Sequence, residues 1–142
     1  MKSIVVALLL CCMAPFAHAE KSATFGDVQV HYNAITTDML QPEVARAYAI
    51  ERSKTRGLLT VSVLKKNSMG MPVPVAAKLT AYATNLTQQL ATIPLREIRE
   101  GTAVYYLGEF RVAPPDTLKF TLTVDVPGQA RHEIVFSQSF YK

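Results

Sequence analysis

An antiparallel β-sandwich of about seven strands with one short helix is the fold class that this sequence predicts. Three observations carry that expectation. Apolar and polar residues alternate with period two through most segments between residues 28 and 140, the signature of strands with one face on a core. Turn-forming residues separate these segments at short, fairly regular intervals. One stretch alone switches to helical spacing.

Taken in chain order, "DVQVHYNAI" places Val28, Val30 and Tyr32 on one face. "QPEVARAYAI" then breaks the alternation. Pro42 suits a first helical turn, and Val44, Ala47 and Tyr48 recur at helical spacing, so a helix of about two turns is expected over Pro42–Tyr48. A longer helix ending at Arg56 with Gly57 as its cap is the alternative, but Glu51 and Arg52 interrupt the apolar stripe. "GLLTVSVLKK" aligns Leu59, Val61 and Val63, and "VPVAAKLTAYATNL" aligns Val75, Ala77, Leu79, Ala81 and Ala83. "QQLATIPLREI" reads as a weaker strand that Pro94 confines to an edge or a bulge. "GTAVYYLGEFRV" brings Val104, Tyr106, Phe110 and Val112 into phase. The clearest strand is "DTLKFTLTVDV", with Leu118, Phe120, Leu122, Val124 and Val126 against Lys119, Thr121, Thr123 and Asp125. Pro127-Gly128 follows in the order a type II turn requires, and "RHEIVFSQSFY" completes a hairpin with Ile134, Phe136 and Phe140 in phase. The expected core comprises Val30, Tyr32, Val61, Val63, Leu79, Ala81, Tyr106, Phe120, Leu122, Val124, Ile134 and Phe136.

The first 19 residues carry one cation, Lys2, an apolar run Ile4–Met13 and the triplet Ala17-His18-Ala19. That is the three-part pattern of a secretory signal peptide, with cleavage expected between Ala19 and Glu20. The run is too short to span a bilayer. Leu8-Leu9-Leu10 before Cys11 lacks the small residues that lipidation needs. Both cysteines of the chain, Cys11 and Cys12, would leave with the leader, so residues 20–142 are expected to form one exported domain without thiol chemistry. Loss of Lys2 from the 15 cations leaves 14 against 11 carboxylates, a net charge of +3. That is far from the concentrated charge of a nucleic-acid binder, and no later run is long enough for a membrane span.

The densest positive charge lies in "AYAIERSKTRGLLTVSVLKK". If residues 51–56 are extended, Arg52, Lys54 and Arg56 share one face and could hold a phosphate, a carboxylate-rich glycan or an acidic partner. The same pattern also suits a polar strand entry that blunts a sheet edge. His31 and His132 lie on expected strands, away from any nucleophile motif, and no triad spacing is present. Met69 and Met71 bracket Gly70 and offer soft sulfur to Cu(I), with His31, His132, Met39 and the new N-terminus as the remaining ligands; loop methionines covering apolar surface are the plainer reading. Glu97, Glu100 and Glu109 alternate with Arg96, Arg99 and Arg111 as cross-strand surface pairs would. Asn85-Leu86-Thr87 matches the glycosylation triplet, which has meaning only in a eukaryotic secretory pathway. Phosphate-binding glycine loops, zinc-ligand spacings and nucleophile elbows are absent.

At "HYNAI", "PEVARAYAIERSK", "RGLLTVSVLKK" and "EGTAVYYLGEF" the chain resembles the bacterial domain-of-unknown-function family 4426, over nearly the whole of residues 20–142. The resemblance implies a small periplasmic, immunoglobulin-like protein of a Gram-negative bacterium, and it supplies no catalytic residue. The expected role is a non-catalytic binding or envelope-accessory module, without a cofactor, whose partner is an envelope protein or an acidic polymer. A periplasmic copper protein and a small enzyme are the alternatives.

Overall fold

A computed structural model describes residues 21–142. The expected leader, its cleavage site at Ala19 and Glu20, and both cysteines lie outside the described residues. The elements are β1 (Lys21–Phe25), β2 (Val28–Thr36), a 3₁₀ turn (Thr37–Met39), α1 (Pro42–Ala47), β3 (Arg56–Lys66), β4 (Pro72–Pro74), β5 (Lys78–Thr84), β6 (Leu90–Ile93), β7 (Arg96–Glu100), β8 (Ala103–Arg111), β9 (Asp116–Asp125) and β10 (His132–Phe140). Two antiparallel sheets form the sandwich, one in the order β1-β2-β3-β8-β7 with β4 beside β3, the other β10-β9-β5-β6. No helix among the described residues is long and apolar enough to cross a membrane.

The sandwich is as expected, but the described residues form ten strands rather than about seven. β1 was not expected, and the segment expected as one strand from Val73 to Leu86 is broken at residues 75–77 into β4, beside β3 in the first sheet, and β5, in the second. The segment read as one weak strand is two, β6 in the second sheet and β7 in the first. Pro94 stands between them. It lacks the N–H that a continuing ladder needs, and the chain uses the break to change sheets.

Inward residues of both sheets meet in one core, centred on Phe120, which stacks on Phe136 with centroids 4.9 Å apart and meets the edge of Phe110 at 5.1 Å. Every expected core residue is buried except Leu79, which is half-buried near the start of β5 and packs on the cluster from its margin. Gly128 takes φ +78° in the β9–β10 turn, where the Gln129 N–H donates to the Val126 carbonyl at 3.0 Å. This is the geometry that Pro127-Gly128 encodes.

A second, smaller cluster lies on the outer face of the first sheet. Leu58 and Leu107 project there, and Ala45, Ile50 and half-buried Tyr48 pack over them. The short helix therefore exists where expected, but its buried face is not the Val44–Ala47–Tyr48 stripe. Val44 and Ala47 are exposed and Ala45 is the buried residue of α1, because a six-residue helix lying flat on a sheet presents barely one turn. Polar contacts hold this cover. The buried Thr37 hydroxyl donates to the Glu51 carbonyl at 2.8 Å and accepts from the Ser53 N–H at 2.8 Å. Arg96 donates to the Tyr48 carbonyl, and the Tyr48 hydroxyl donates to Glu100 Oε1 at 2.5 Å. That hydrogen bond to a carboxylate, helped by burial, raises the Tyr48 pKa above its ordinary 10.0.

Candidate functional site: an open cleft between the sheets

Where the chain leaves β6 for β7, Ile93-Pro94-Leu95 crosses directly over Gly108 of β8. A Cβ at Gly108 would lie 2.5 Å from Ile93 Cγ2 and 2.8 Å from Leu95 Cδ2, so only glycine admits the crossing. The two sheets are sealed at this point, and Ile93 is 2% exposed. Two residues earlier the seal is lost. Ala91 pairs with buried Ala83 and so faces the interior side of its sheet, yet it is exposed. The sheets thus diverge along β6 into a wedge-shaped cleft of about 860 Å³.

β6 at Leu90–Thr92 and the end of β8 at Glu109–Arg111 line the cleft from the two sheets, with Phe110 pointing inward and Glu109 and Arg111 on the opposite face of β8 at the mouth. The Phe110 ring stands over Gly57, where a Cβ would come within 2.1 Å of it, and so fills the base of the cleft. The rim is the β5–β6 turn, fixed by Asn85. Its Oδ1 accepts from the Thr87 hydroxyl at 2.8 Å and the Gln89 N–H at 2.9 Å, and its Nδ2 donates to Gln89 Oε1 at 2.8 Å. The glycosylation-like triplet therefore serves here as a turn, with the Asn85 amide already engaged.

The basic segment takes a form different from the expected strand face. Residues 51–55 are a loop with a turn at Lys54 and Thr55, and strand structure begins only at Arg56. Arg52 donates to the Asp38 carbonyl at 2.8 Å and so anchors the 3₁₀ turn, while Lys54 is exposed. Arg56 lies at the cleft mouth, 3.6 Å from Glu109 and 3.7 Å from Glu51. The structure brings it a neighbour that sequence spacing missed. Arg111 is directly opposite Arg56 in the β3–β8 register, lines the same cleft, and has no ion-pair partner among the described residues. Only strand pairing could have revealed this juxtaposition, since 55 positions separate the two in the chain.

The remaining candidates do not converge on this site. His31 is on β2 opposite Ser62, and His132 on β10 stacks against Phe25 with centroids 4.1 Å apart, in the other sheet. Met69 and Met71 stand out at 77% and 57% exposure on the β3–β4 turn, which Asn67 Oδ1 fixes by accepting from both of their N–H groups. Ser62, the partner of His31, is four residues from Lys66 at the base of that turn, about 13 Å at the usual strand rise. Met39 follows β2 at the far end of β3, about 30 Å away by the same rise. No group of three or more His, Cys, Asp or Glu side chains among the described residues could hold a metal ion. Of the expected charge pairs, Glu97 and Arg99 meet at 3.0 Å along β7 itself, rather than across strands.

The sequence pattern of DUF4426, a domain of unknown function, matches residues 22–142. The chain belongs to the DUF4426 family. A crystal structure of a DUF4426 family protein from Pseudomonas aeruginosa PAO1 is similar to it, with 34% sequence identity and a TM-score of 0.71, covering 86% of this chain and 94% of that one. No curated protein matches the sequence. DUF4426 membership thus agrees with the resemblance seen at "HYNAI" and "RGLLTVSVLKK", and it brings no activity with it.

Proposed function

We propose that this DUF4426 chain is an exported, non-catalytic binding module of the bacterial periplasm that engages an acidic envelope partner at the cleft beside β6. One observation carries the reading: the interior side of β6 is left uncovered at Ala91, beneath a mouth bearing Arg56 and Arg111. A fold that seals Ile93 two residues later leaves this surface open, and exposed interior surface rimmed by polar groups is the usual form of an interaction site. The cleft lining holds neither histidine nor cysteine, which supports binding over nucleophilic catalysis. The leader pattern supports export. Lys54 and Arg52, on the loop that leads into Arg56, add to the field that an acidic partner meets.

Two measurements test the two halves of this reading. Fractionation and N-terminal sequencing of the full-length chain expressed in a Gram-negative host should give a periplasmic species beginning at Glu20. A cytoplasmic species, or one lipidated at Cys11 or Cys12, overturns export. In ¹⁵N-resolved titration of residues 20–142, alginate should shift the amides of Leu90–Thr92 and Phe110–Val112 saturably, and dextran should not. Arg56→Gln/Arg111→Gln should abolish the response. Equal response to both polymers overturns recognition of an acidic partner.

A further inference from the structure

The cleft wall contributed by β6 is also the free edge of a sheet, and the edges of this molecule are not alike. β7 carries charge at Arg96, Glu97, Arg99 and Glu100, four of its five positions, which discourages pairing with another chain. β1 and β10 are closed on each other by Lys21, whose Nζ donates to the Ser137 carbonyl at 3.1 Å and stands 5.1 Å from the centre of the Phe136 ring. β6 has none of these protections. Its sequence, "LATI", contains no charge, Leu90 is 61% exposed, and among the described residues its only strand partner is β5. An unblunted edge is a liability that folds ordinarily remove, and here it lies along an open cleft of about 860 Å³.

We propose that the cleft binds a short extended peptide by strand addition to β6, the peptide being apolar along its length and acidic at the end that lies at the mouth. This rests on the binding-module reading and names its partner class. Strand addition satisfies the outward backbone groups of β6, which Leu90–Ile93 presents over about 13 Å. Alternate side chains of the added strand continue the face of Ala91 and meet Phe110 and Leu118, two buried apolar residues that line the cleft. The crossing at Gly108 closes one end and limits the paired segment to about four residues. At the open end Arg111 is opposite Arg56 in the register, two like charges of which, among the described residues, only Arg56 has carboxylate partners, Glu109 and Glu51. A carboxylate of the peptide there relieves the repulsion and gives Arg111 a counter-ion. Asp116, also in the lining, lies on β9 and sets a limit on how many acids the mouth accepts.

The probe is acetyl-Asp-Val-Thr-Val-amide, compared with two forms N-methylated at alternate amides, one blocking each backbone edge. With ¹⁵N-labelled residues 20–142, the parent peptide should shift and slow the exchange of the β6 amides. One N-methylated form should bind at least tenfold more weakly and the other comparably to the parent. Arg111→Gln should weaken the acidic peptide several-fold and leave its Asn-for-Asp version unchanged. If both N-methylated forms match the parent, strand addition is wrong while the cleft remains a binding site. If the peptide fails to bind at millimolar concentration while alginate still shifts the cleft, the peptide class is wrong and the module reading survives. Failure of both probes removes both. Self-association through β6 without any peptide makes a second copy of the chain the occupant and also overturns the proposal.

Discussion

On the outer face of the first sheet, Leu58 and Leu107 point away from the core, and Ala45, Ile50 and Tyr48 lie over them. The outer face of the second sheet carries Thr80, Tyr82 and Thr84 of β5, opposite Thr123, Thr121 and Lys119 of β9. The cover on the first face takes the chain from Thr37 to Thr55 to build, and ordering such a segment is costly. It persists because the outward leucines reward it and because Thr37, Arg52 and Arg96 fasten it to its own carbonyls and to β7. The hydroxyl-rich face carries no such cover: threonine side chains suit a pleated surface, and of these threonines only Thr121, between Tyr82 and Val135, is buried. A cover in this fold is therefore a consequence of which outward residues a strand carries, and the sandwich core is independent of it.

The sharpest way to break that separation is a pair of truncations. Leu122→Ala, in the shared core and fully buried, should cost about 2–5 kcal/mol in urea denaturation. Leu58→Ala, in the covering cluster, should cost about 2 kcal/mol, near the lower end of that range. Its hydrogen-exchange losses should be confined to residues 37–55 and the strands beneath. If Leu58→Ala instead loosens β9 and β10 as well, cover and core are one cooperative unit.

Next in size is Thr37→Val, which keeps the shape of the buried side chain and deletes the hydroxyl that serves the Glu51 carbonyl and the Ser53 N–H. Leaving those groups unpaired should cost about 1–3 kcal/mol. Increased proteolysis between residues 49 and 55, with β-sheet circular dichroism unchanged, would locate the loss in the cover. On the uncovered face, Val135→Thr, at a half-exposed position of β10, should change stability by no more than about 0.5 kcal/mol. A larger loss would mean that something packs on the second sheet after all.

Most of the core was legible because it is written with period two: Phe120, Leu122 and Val124 declare their own face. The cover was half legible. Leu58 beside Leu59 puts two apolar residues on opposite faces of β3, a local signal of burial on both sides. The alternation of Leu59, Val61 and Val63 hides it unless the neighbour is counted too. Pro94 marked a break but could not say that the two halves join different sheets, since that depends on Gly108 standing beneath the crossing. The cleft was least legible. Nothing in "LATI" distinguishes Ala91, open, from Ile93, sealed; the difference is made by the distance between two sheets. Likewise, Arg111 meets Arg56 only through pairing register, while of its neighbours in sequence Arg52 anchors the 3₁₀ turn and Lys54 is exposed on the loop.

The smallest effect probes the far end of the cover by its dependence on pH. Tyr48 donates its phenolic proton to Glu100, so the folded chain favours the neutral phenol, and its pKa rises above the ordinary 10.0. The stability this lends is fully present below about pH 10, the unfolded value, and is lost as pH climbs through the raised folded value. Tyr48→Phe removes the hydroxyl and with it the dependence. The wild-type advantage over Tyr48→Phe should stay small and constant, about 0.5 kcal/mol for a largely solvated pair, between about pH 7 and 9, and disappear at higher pH. The chain has 6 tyrosines, so the difference in ultraviolet titration between wild type and variant isolates this one. A difference curve centred at or below the ordinary phenol value would show that Glu100 does not hold the hydroxyl in solution. The α1 cover would then rest on Arg96, Thr37 and its apolar contacts alone.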